Sequence, residues 1–315
     1  MSRYFLGFDT SNYTTSVAVV DEYKNIVANE RKLLKVKFGH RGLRQQEALF
    51  QHIENLPELI ERAMAKIPNE DIKAFGVSSK PRSISNSYMP CFKAGISLGK
   101  SLSAVLNVPY MEFSHQEGHI AAVAPDDLDD FFVFHLSGGT SELLYVKNGE
   151  MSRVGGSLDI SFGQLIDRVG VALGYEFPAG KSLDEIACCN KKIYNIKPIK
   201  VKDSYFNLSG VETKFLSLKD NFSEYELFGE MFFMISECII EAVRQASTLY
   251  NKNIPCVLVG GVASSKYIRK HMEDTDKNFI YGDYSTDNAV GIALLTRKKY
   301  LSDCSQIIPA LQSHL

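Results

Sequence analysis

One short plan occurs twice in this chain, and that repeat limits what it can fold into. Residues 4–21 read YFLGFDTSNYTTSVAVVD: an apolar strand, a hydroxyl-rich turn and a second strand. Residues 131–147 read FFVFHLSGGTSELLYVK, the same plan with a Gly-Gly turn. β-Branched and aromatic runs broken by turn residues are the signature of a β-hairpin. Each hairpin opens a long stretch of mixed strand and helix patterns. Two hairpins that each launch an α/β half predict a duplicated, two-lobed α/β architecture; chance similarity between two hairpins is the plain alternative. At 315 residues the chain is long enough for two such cores.

Between the hairpins and after them, apolar periodicity predicts helices over 45–65, 92–106, 162–173, 181–189 and 224–250, and strands over 72–79, 109–113 and 254–259. The stripe Phe228, Met231, Phe232 and Ile235 reads as core packing. Ser264 or Ser265 can cap the next helix. No run of about 18 apolar residues exists, so no membrane span is expected. The N-terminus enters an apolar strand at once, without the long apolar region of a signal peptide. The six cysteines (Cys91, Cys188, Cys189, Cys238, Cys256 and Cys304) form no C-x-x-C pair. Free thiols and a cytoplasmic location are the expectation. A formal net charge of −2 excludes a global basic footprint for nucleic acid, so any RNA contact needs a local patch or a partner.

The most chemical stretch is His115-Gln116-Glu117-Gly118-His119. Two imidazoles four residues apart on a helix lie about 40° apart on one face, a spacing that lets both grip one metal ion. Glu117 falls about 200° round the helix from His115, away from that face. A zincin protease needs H-E-x-x-H, so the spacing favours a metal site and not a protease. Two solvated or core histidines are the alternative. Asp287, after Tyr284-Ser285-Thr286, is a candidate third ligand; a routine helix N-cap is the competing role. Two His and one carboxylate leave coordination positions open for substrate oxygens.

Three turns suit phosphate: residues 9–16, Ser137-Gly138-Gly139-Thr140, and Gly260-Gly261-Val262 between a strand and a helix. Turns need Gly and Ser for backbone reasons anyway, but three in one chain point to a nucleotide. Asp159 and Asp167 read equally well as sugar-hydroxyl ligands or as surface carboxylates.

Together these residues resemble the threonylcarbamoyladenosine tRNA-modification transferases, once named sialoglycoprotein endopeptidases. The resemblance runs from Tyr4 to Leu295. Its strongest block is His115 to His119, similar to the family's H-x-E-G-H. Ser137-Gly138-Gly139, the run from Gly156 through Gly163 and Asp167, Gly174-Tyr175 with Phe177-Pro178 and Gly180, Leu208-Ser209-Gly210 with Thr213, Gly260-Gly261-Val262 with Arg269, and Thr286-Asp287-Asn288 resemble further family blocks in order. The resemblance implies the fold of actin, heat-shock chaperone ATPases and sugar kinases: two duplicated ribonuclease-H-like lobes with a nucleotide cleft between them. The expected division is an N-terminal lobe of residues 1–113 plus 292–315, and a C-terminal lobe of residues 114–291 carrying most metal and nucleotide residues. It implies one divalent or ferric ion, iron or zinc, on His115, His119 and Asp287. It implies ATP or an acyl-adenylate against Ser137, Gly138, Gly139, Asp167, Gly180, Asp184 and Gly261. The implied reaction is acyl transfer, moving a threonylcarbamoyl group from its AMP anhydride to N6 of adenosine 37 of tRNA, with protein partners of that pathway.

Departures from the family pattern make the chain resemble a divergent paralogue. The first hairpin reads E-T-S-C-D-E-T in the family and Asp9-Thr10-Ser11-Asn12-Tyr13-Thr14-Thr15 here, so Tyr13 and Thr14 stand for two acids. The family's G-P-G-L loop becomes residues 80–90. Gln46 stands where Glu is expected, Thr140 where His is, and Glu212 where Lys is. A carbamoyl-adenylate transferase with another acceptor, and a non-catalytic nucleotide-binding scaffold, are the other readings.

Overall fold

The computed structural model describes residues 2–11, 13–36, 43–83, 87–125, 127–189, 197–275 and 278–312. In chain order the elements are β1 (Tyr4–Ser11), β2 (Thr14–Asp21), β3 (Ile26–Leu33), α1 (Gln45–Met64), β4 (Ile72–Lys80), α2 (Lys93–Leu106), β5 (Tyr110–Ser114) and α3 (His115–Ala121). There follow β6 (Asp130–Leu136), β7 (Ser141–Lys147), β8 (Glu150–Ser157), α4 (Phe162–Ala172), α5 (Gly180–Ala187), β9 (Tyr205–Phe206), α6 (Ser209–Leu218), α7 (Glu224–Tyr250), β10 (Cys256–Val259), α8 (Lys266–Thr275), β11 (Phe279–Ile280) and α9 (Val290–Gln312).

These form two compact units, one of Met1–Lys35, Leu43–Ala122 and Asp287–Leu315, the other of Val36–Gly42 and Val123–Thr286. The first holds a sheet of order β3-β2-β1-β4-β5; the second reads β8-β7-β6-β10-β11, with β9 added outside β8. In each, the first three strands run antiparallel as a meander and the last two run parallel to the first. The two hairpins read from sequence thus occupy matching places in matching sheets.

β1 is buried from Phe5 onward on both faces, as a central strand must be when helices cover both sides. Alternation sends Leu6 and Phe8 into a core with Leu56, Leu59 and Ala94 of α1 and α2. Phe5 stacks at a tilt on Tyr300 of α9, 5.4 Å between ring centres, on the other face. In the second unit, Phe228, Met231, Phe232 and Ile235 of α7 join β6, β7, α4 and α5 in one core, as their spacing predicts.

The lobe division differs from the expectation. Residues 114–122 and 287–291, assigned by sequence to the second lobe, pack in the first unit. The reason is backbone contact between α3 and α9: a Cβ on Gly291 would lie 1.7 Å from the Gly118 carbonyl oxygen. Only glycine permits that approach. The metal candidates therefore all belong to the first unit, and not to the second as expected. Among the described residues no helix is long and apolar enough to cross a membrane.

Candidate metal centre and glycine rim

Helix α3 starts where its sequence says a helix should. Ser114 Oγ accepts from the Glu117 N–H at 3.1 Å, and Glu117 Oε2 accepts from the Ser114 N–H at 2.7 Å, a capping box. Glu117 also accepts from Ser83 Oγ at 2.6 Å. Its carboxylate is committed to the helix start, off the histidine face, as its position on the helix requires.

His115 and His119 meet edge to face, ring centres 4.3 Å apart, with 2.9 Å between their Nε2 atoms. Asp287 completes the group. Its Oδ1 lies 3.2 Å from His119 Nε2 and 3.6 Å from His115 Nε2. Asp287 is no N-cap: α9 begins at Val290, and it is Asn288 Oδ1 that accepts from the Val290 N–H at 2.8 Å. That local bond leaves the Asp287 carboxylate to face the imidazoles. Gly118 lies close to α9 here: a Cβ on it would come within 2.8 Å of Ile292 Cδ1.

The donor set fits a metal ion. The three candidate ligand atoms lie within 4.8 Å of one another. Atoms bound at about 2.0–2.2 Å to one ion in tetrahedral or octahedral array stand about 3.0–3.5 Å apart, and the observed edges match. Imidazole nitrogen and carboxylate oxygen are ligands that zinc and iron both accept. Burial pulls the His115 imidazole down, but Asp9, whose Oδ2 is 2.8 Å from Nδ1, and Asp287 outweigh it and push it up to about 10. Burial acts against the Asp287 carboxylate as well, yet contacts with both imidazoles hold it well below the usual carboxylate range. Asp9 was not singled out in the sequence. Its only signal there is an acid inside an apolar strand.

In the second unit, the Ser137–Thr140 turn joins β6 to β7. Thr140 donates its N–H to Ser137 Oγ at 3.0 Å, and Ser137 donates its own to the Thr140 carbonyl at 2.8 Å. A Cβ on Gly138 or Gly139 would meet nothing within 4 Å, so both open onto free space, as does Gly261. The rim is closely packed behind them. A Cβ on Gly163, at the start of α4, would lie 2.6 Å from Gly138 Cα. Gly260 has φ 98° and approaches the Leu136 carbonyl, which a side chain would strike at 2.4 Å.

From Gly163, one turn along α4 leads to Asp167, whose Oδ1 accepts from the Ala179 N–H at 2.9 Å, beside Gly180. Burial pushes Asp167 up to about 6 despite the N–H groups of Ala179 and Gly180. One turn along α5 leads to Asp184, which accepts from Ser265 Oγ and from the N–H groups of Lys266 (2.9 Å) and Tyr267 (3.1 Å) at the start of α8. Both its oxygens are therefore committed to closing that helix. Ser265 caps α8 through the Ile268 N–H at 3.1 Å, as expected. The expected adenylate residues lie on one linked path, with Asp184 a strut of it. Asp159 stands apart: burial opposes its charge, but the N–H groups of Leu208, Ser209 and Ile160 hold it at about 2, and it caps α6.

The altered positions fall into different settings. Thr14 opens β2 and is buried, and Tyr13 accepts from the Leu34 N–H through its carbonyl at 2.8 Å. Gln46 is exposed in the first turn of α1. Glu212 pairs with Arg168 at 3.2 Å. Of residues 80–90, positions 84–86 lie outside the described residues, as does Asn12 in the first hairpin.

Solved structures share the fold. The chain aligns with component A of the (R)-2-hydroxyglutaryl-CoA dehydratase of Acidaminococcus fermentans at TM-score 0.60 and 17% identity, covering 95% of this chain and 99% of that one. It aligns with HypF of T. kodakarensis at TM-score 0.60 and 15% identity, covering 95% of this chain and 48% of that one. The fold is the one these proteins share, here in two units each built on a mixed sheet. Over residues 23–294 the sequence matches the family model described as tRNA N6-adenosine threonylcarbamoyltransferase. It is 31% identical over 315 residues to the protein of that name from Thermosipho melanesiensis, covering 94% of each chain. It is 29% identical over 300 residues to that from Nanoarchaeum equitans, covering 92% of each. The chain belongs to this family of acyltransferases.

Proposed function

We propose that this protein moves a threonylcarbamoyl group from threonylcarbamoyl-AMP to N6 of adenosine 37 in tRNA, using one metal ion on His115, His119 and Asp287. The single observation that carries the reading is the convergence of those three ligand atoms from two separated segments of the chain. A non-catalytic scaffold has no use for such a set. Bound there, the ion would supply Lewis-acid stabilisation of charge on a phosphate or carbamoyl oxygen of the adenylate.

The glycine rim of the second unit, taken by itself, has the features of a phosphate site. Gly138, Gly139 and Gly261 leave their backbone open to a phosphate, and Ser137 adds a hydroxyl. Asp167, Gly180 and Asp184 hold that rim in shape. N6 of adenine is a weak nucleophile, so much of the rate must come from positioning. It attacks the carbamoyl carbon, the carbon–oxygen bond to phosphate breaks, AMP leaves with the electron pair, and the N6 proton passes to water. With a net charge of −2, tRNA binding calls for a local basic patch or for protein partners of the modification pathway. All six cysteines are free, which suits the reducing cytoplasm.

The test is transfer of labelled threonylcarbamoyl from the adenylate to tRNA. Label on adenosine that is lost in His119→Ala supports the reading; AMP release with no label on tRNA contradicts it. One feature favours a different acceptor: Tyr13 and Thr14 stand where the family pattern has acids, and Thr14 is buried. Label captured by a small amine and not by tRNA would establish that alternative.

A further inference from the structure

We infer that Asp9 is the positioning carboxylate of the metal centre, fixing which nitrogen of His115 faces the ion. The inference rests on the metal reading above and adds a residue to it. Asp9 lies near the end of β1 between Phe8 and Thr10, with 1% of its surface exposed. A carboxylate buried so completely must have its oxygens satisfied. Oδ1 accepts from Ser78 Oγ at 2.6 Å and from the Ser11 N–H at 3.1 Å. Oδ2 lies 2.8 Å from His115 Nδ1.

The direction of that last bond follows from chemistry. An ionised carboxylate only accepts, so Nδ1 must carry the proton. With Nδ1 held by Asp9, Nε2 is the nitrogen left for an ion, and it is the atom that faces His119 and Asp287. A metal needs that tautomer, and a carboxylate behind a ligating imidazole both selects it and makes the ring a stronger donor.

The backbone makes the device rigid. β1 pairs with β2 through Asp9 opposite Ser16 and with β4 up to Phe8, which holds the Asp9 backbone in place. Ser78, on β4, anchors the other oxygen. Phe92 lies against the His115 ring, 6.3 Å between centres. The family pattern carries Glu at this position. The shorter Asp9 reaches Nδ1 directly, so Glu here must fold its extra methylene into a buried space and should serve less well.

The experiment is competition for zinc between a chromophoric chelator and the full-length wild-type, Asp9→Asn, Asp9→Glu and Ser78→Ala proteins, with ring-nitrogen NMR of the zinc forms. Asp9→Asn is expected to lose roughly 10–100-fold in zinc affinity, Asp9→Glu less, and Ser78→Ala to stay near wild type. The wild-type spectrum should place the His115 proton on Nδ1. Asp9→Asn with wild-type affinity and an unchanged ring spectrum would overturn the inference while leaving the metal reading intact. A wild type that binds no zinc or iron would overturn both. Should Asp9→Asn fail to fold, the wild-type spectrum decides: a proton on Nε2 of His115 refutes the role and one on Nδ1 supports it.

Discussion

β1–β2 and β6–β7 are one hairpin used in two ways. In the first unit the strand ends in Asp9, Thr10 and Ser11, all buried, and a carboxylate turned inward meets a histidine on α3. In the second unit the equivalent strand ends at Leu136, and the turn that follows, Ser137, Gly138 and Gly139, opens outward with nothing within 4 Å of a Cβ on either glycine. Strand order and register type are the same in both. The chemistry is set by the turn residues and by the helix packed against them, which is why a shared fold says little about function. The inward acid sits behind a candidate metal ligand. An outward glycine turn offers N–H groups to an anion.

Removing a metal ligand should break the comparison most severely. His119→Ala is expected to abolish metal binding and lower transfer by about 10³-fold, the scale of a lost Lewis-acid contribution, with nucleotide affinity kept. Circular dichroism and nucleotide titration of the same sample check both halves. The converse variant lies in the second unit. Gly139→Val places a side chain in open space, so the fold should survive while nucleotide binding weakens by about tenfold, the scale of one lost hydrogen bond. Metal content should not change.

Stability offers a sharper contrast, because pH acts on the two units with opposite sign. Burial lowers His52 from 6.5 to about 4 despite the nearby Asp9 charge. Between those values the unfolded chain binds the proton more readily, so the first unit loses stability as pH falls from about 6.5 to about 4. Asp167 is raised from 3.8 to about 6 by burial. Here the native state holds the proton more readily, so stability falls as pH rises from about 4 to about 6. Each group contributes about 1–3 kcal/mol across its window, and in the wild type the slopes oppose each other. His52→Gln should remove the acid-side loss and Asp167→Asn the loss on raising pH. Urea titrations of each variant at pH 4, 5, 6 and 7 would separate them; parallel profiles for both would refute the assignment.

The smallest expected effect is at the altered turn. Tyr13→Asp should raise transfer by up to about tenfold if tRNA is the acceptor, a fraction of what one well-placed catalytic group commonly supplies. Thr14→Glu should cost stability instead, since Thr14 is buried.

How much of this could be read from sequence follows from the range of each signal. The hairpins, the i, i+4 histidines and the Ser265 cap are local patterns, and they stand in the structure where periodicity puts them. Asp287 could be named in sequence as a candidate third ligand but not separated there from a helix N-cap, because its carboxylate meets His115 from a distant segment of the chain. Asp9 stayed hidden for the same reason: an acid in a strand says nothing of the helix it touches. Asp184, named through the family resemblance, and Asp159, which reads equally as a sugar ligand or a surface carboxylate, both accept from helix N-termini far along the chain, at Ser265–Tyr267 and Leu208–Ser209. The lobe boundary was misplaced because Gly118 and Gly291 join α3 to α9 by backbone contact that no pattern announces.

The most direct test is metal content by elemental analysis of the full-length chain, purified without chelator, beside His119→Ala and Asp287→Ala. One equivalent of iron or zinc per wild-type chain is expected, with less than about a tenth of that in either folded variant. Equal metal in all three, or none in the wild type after loading with either ion, would contradict a centre on His115, His119 and Asp287.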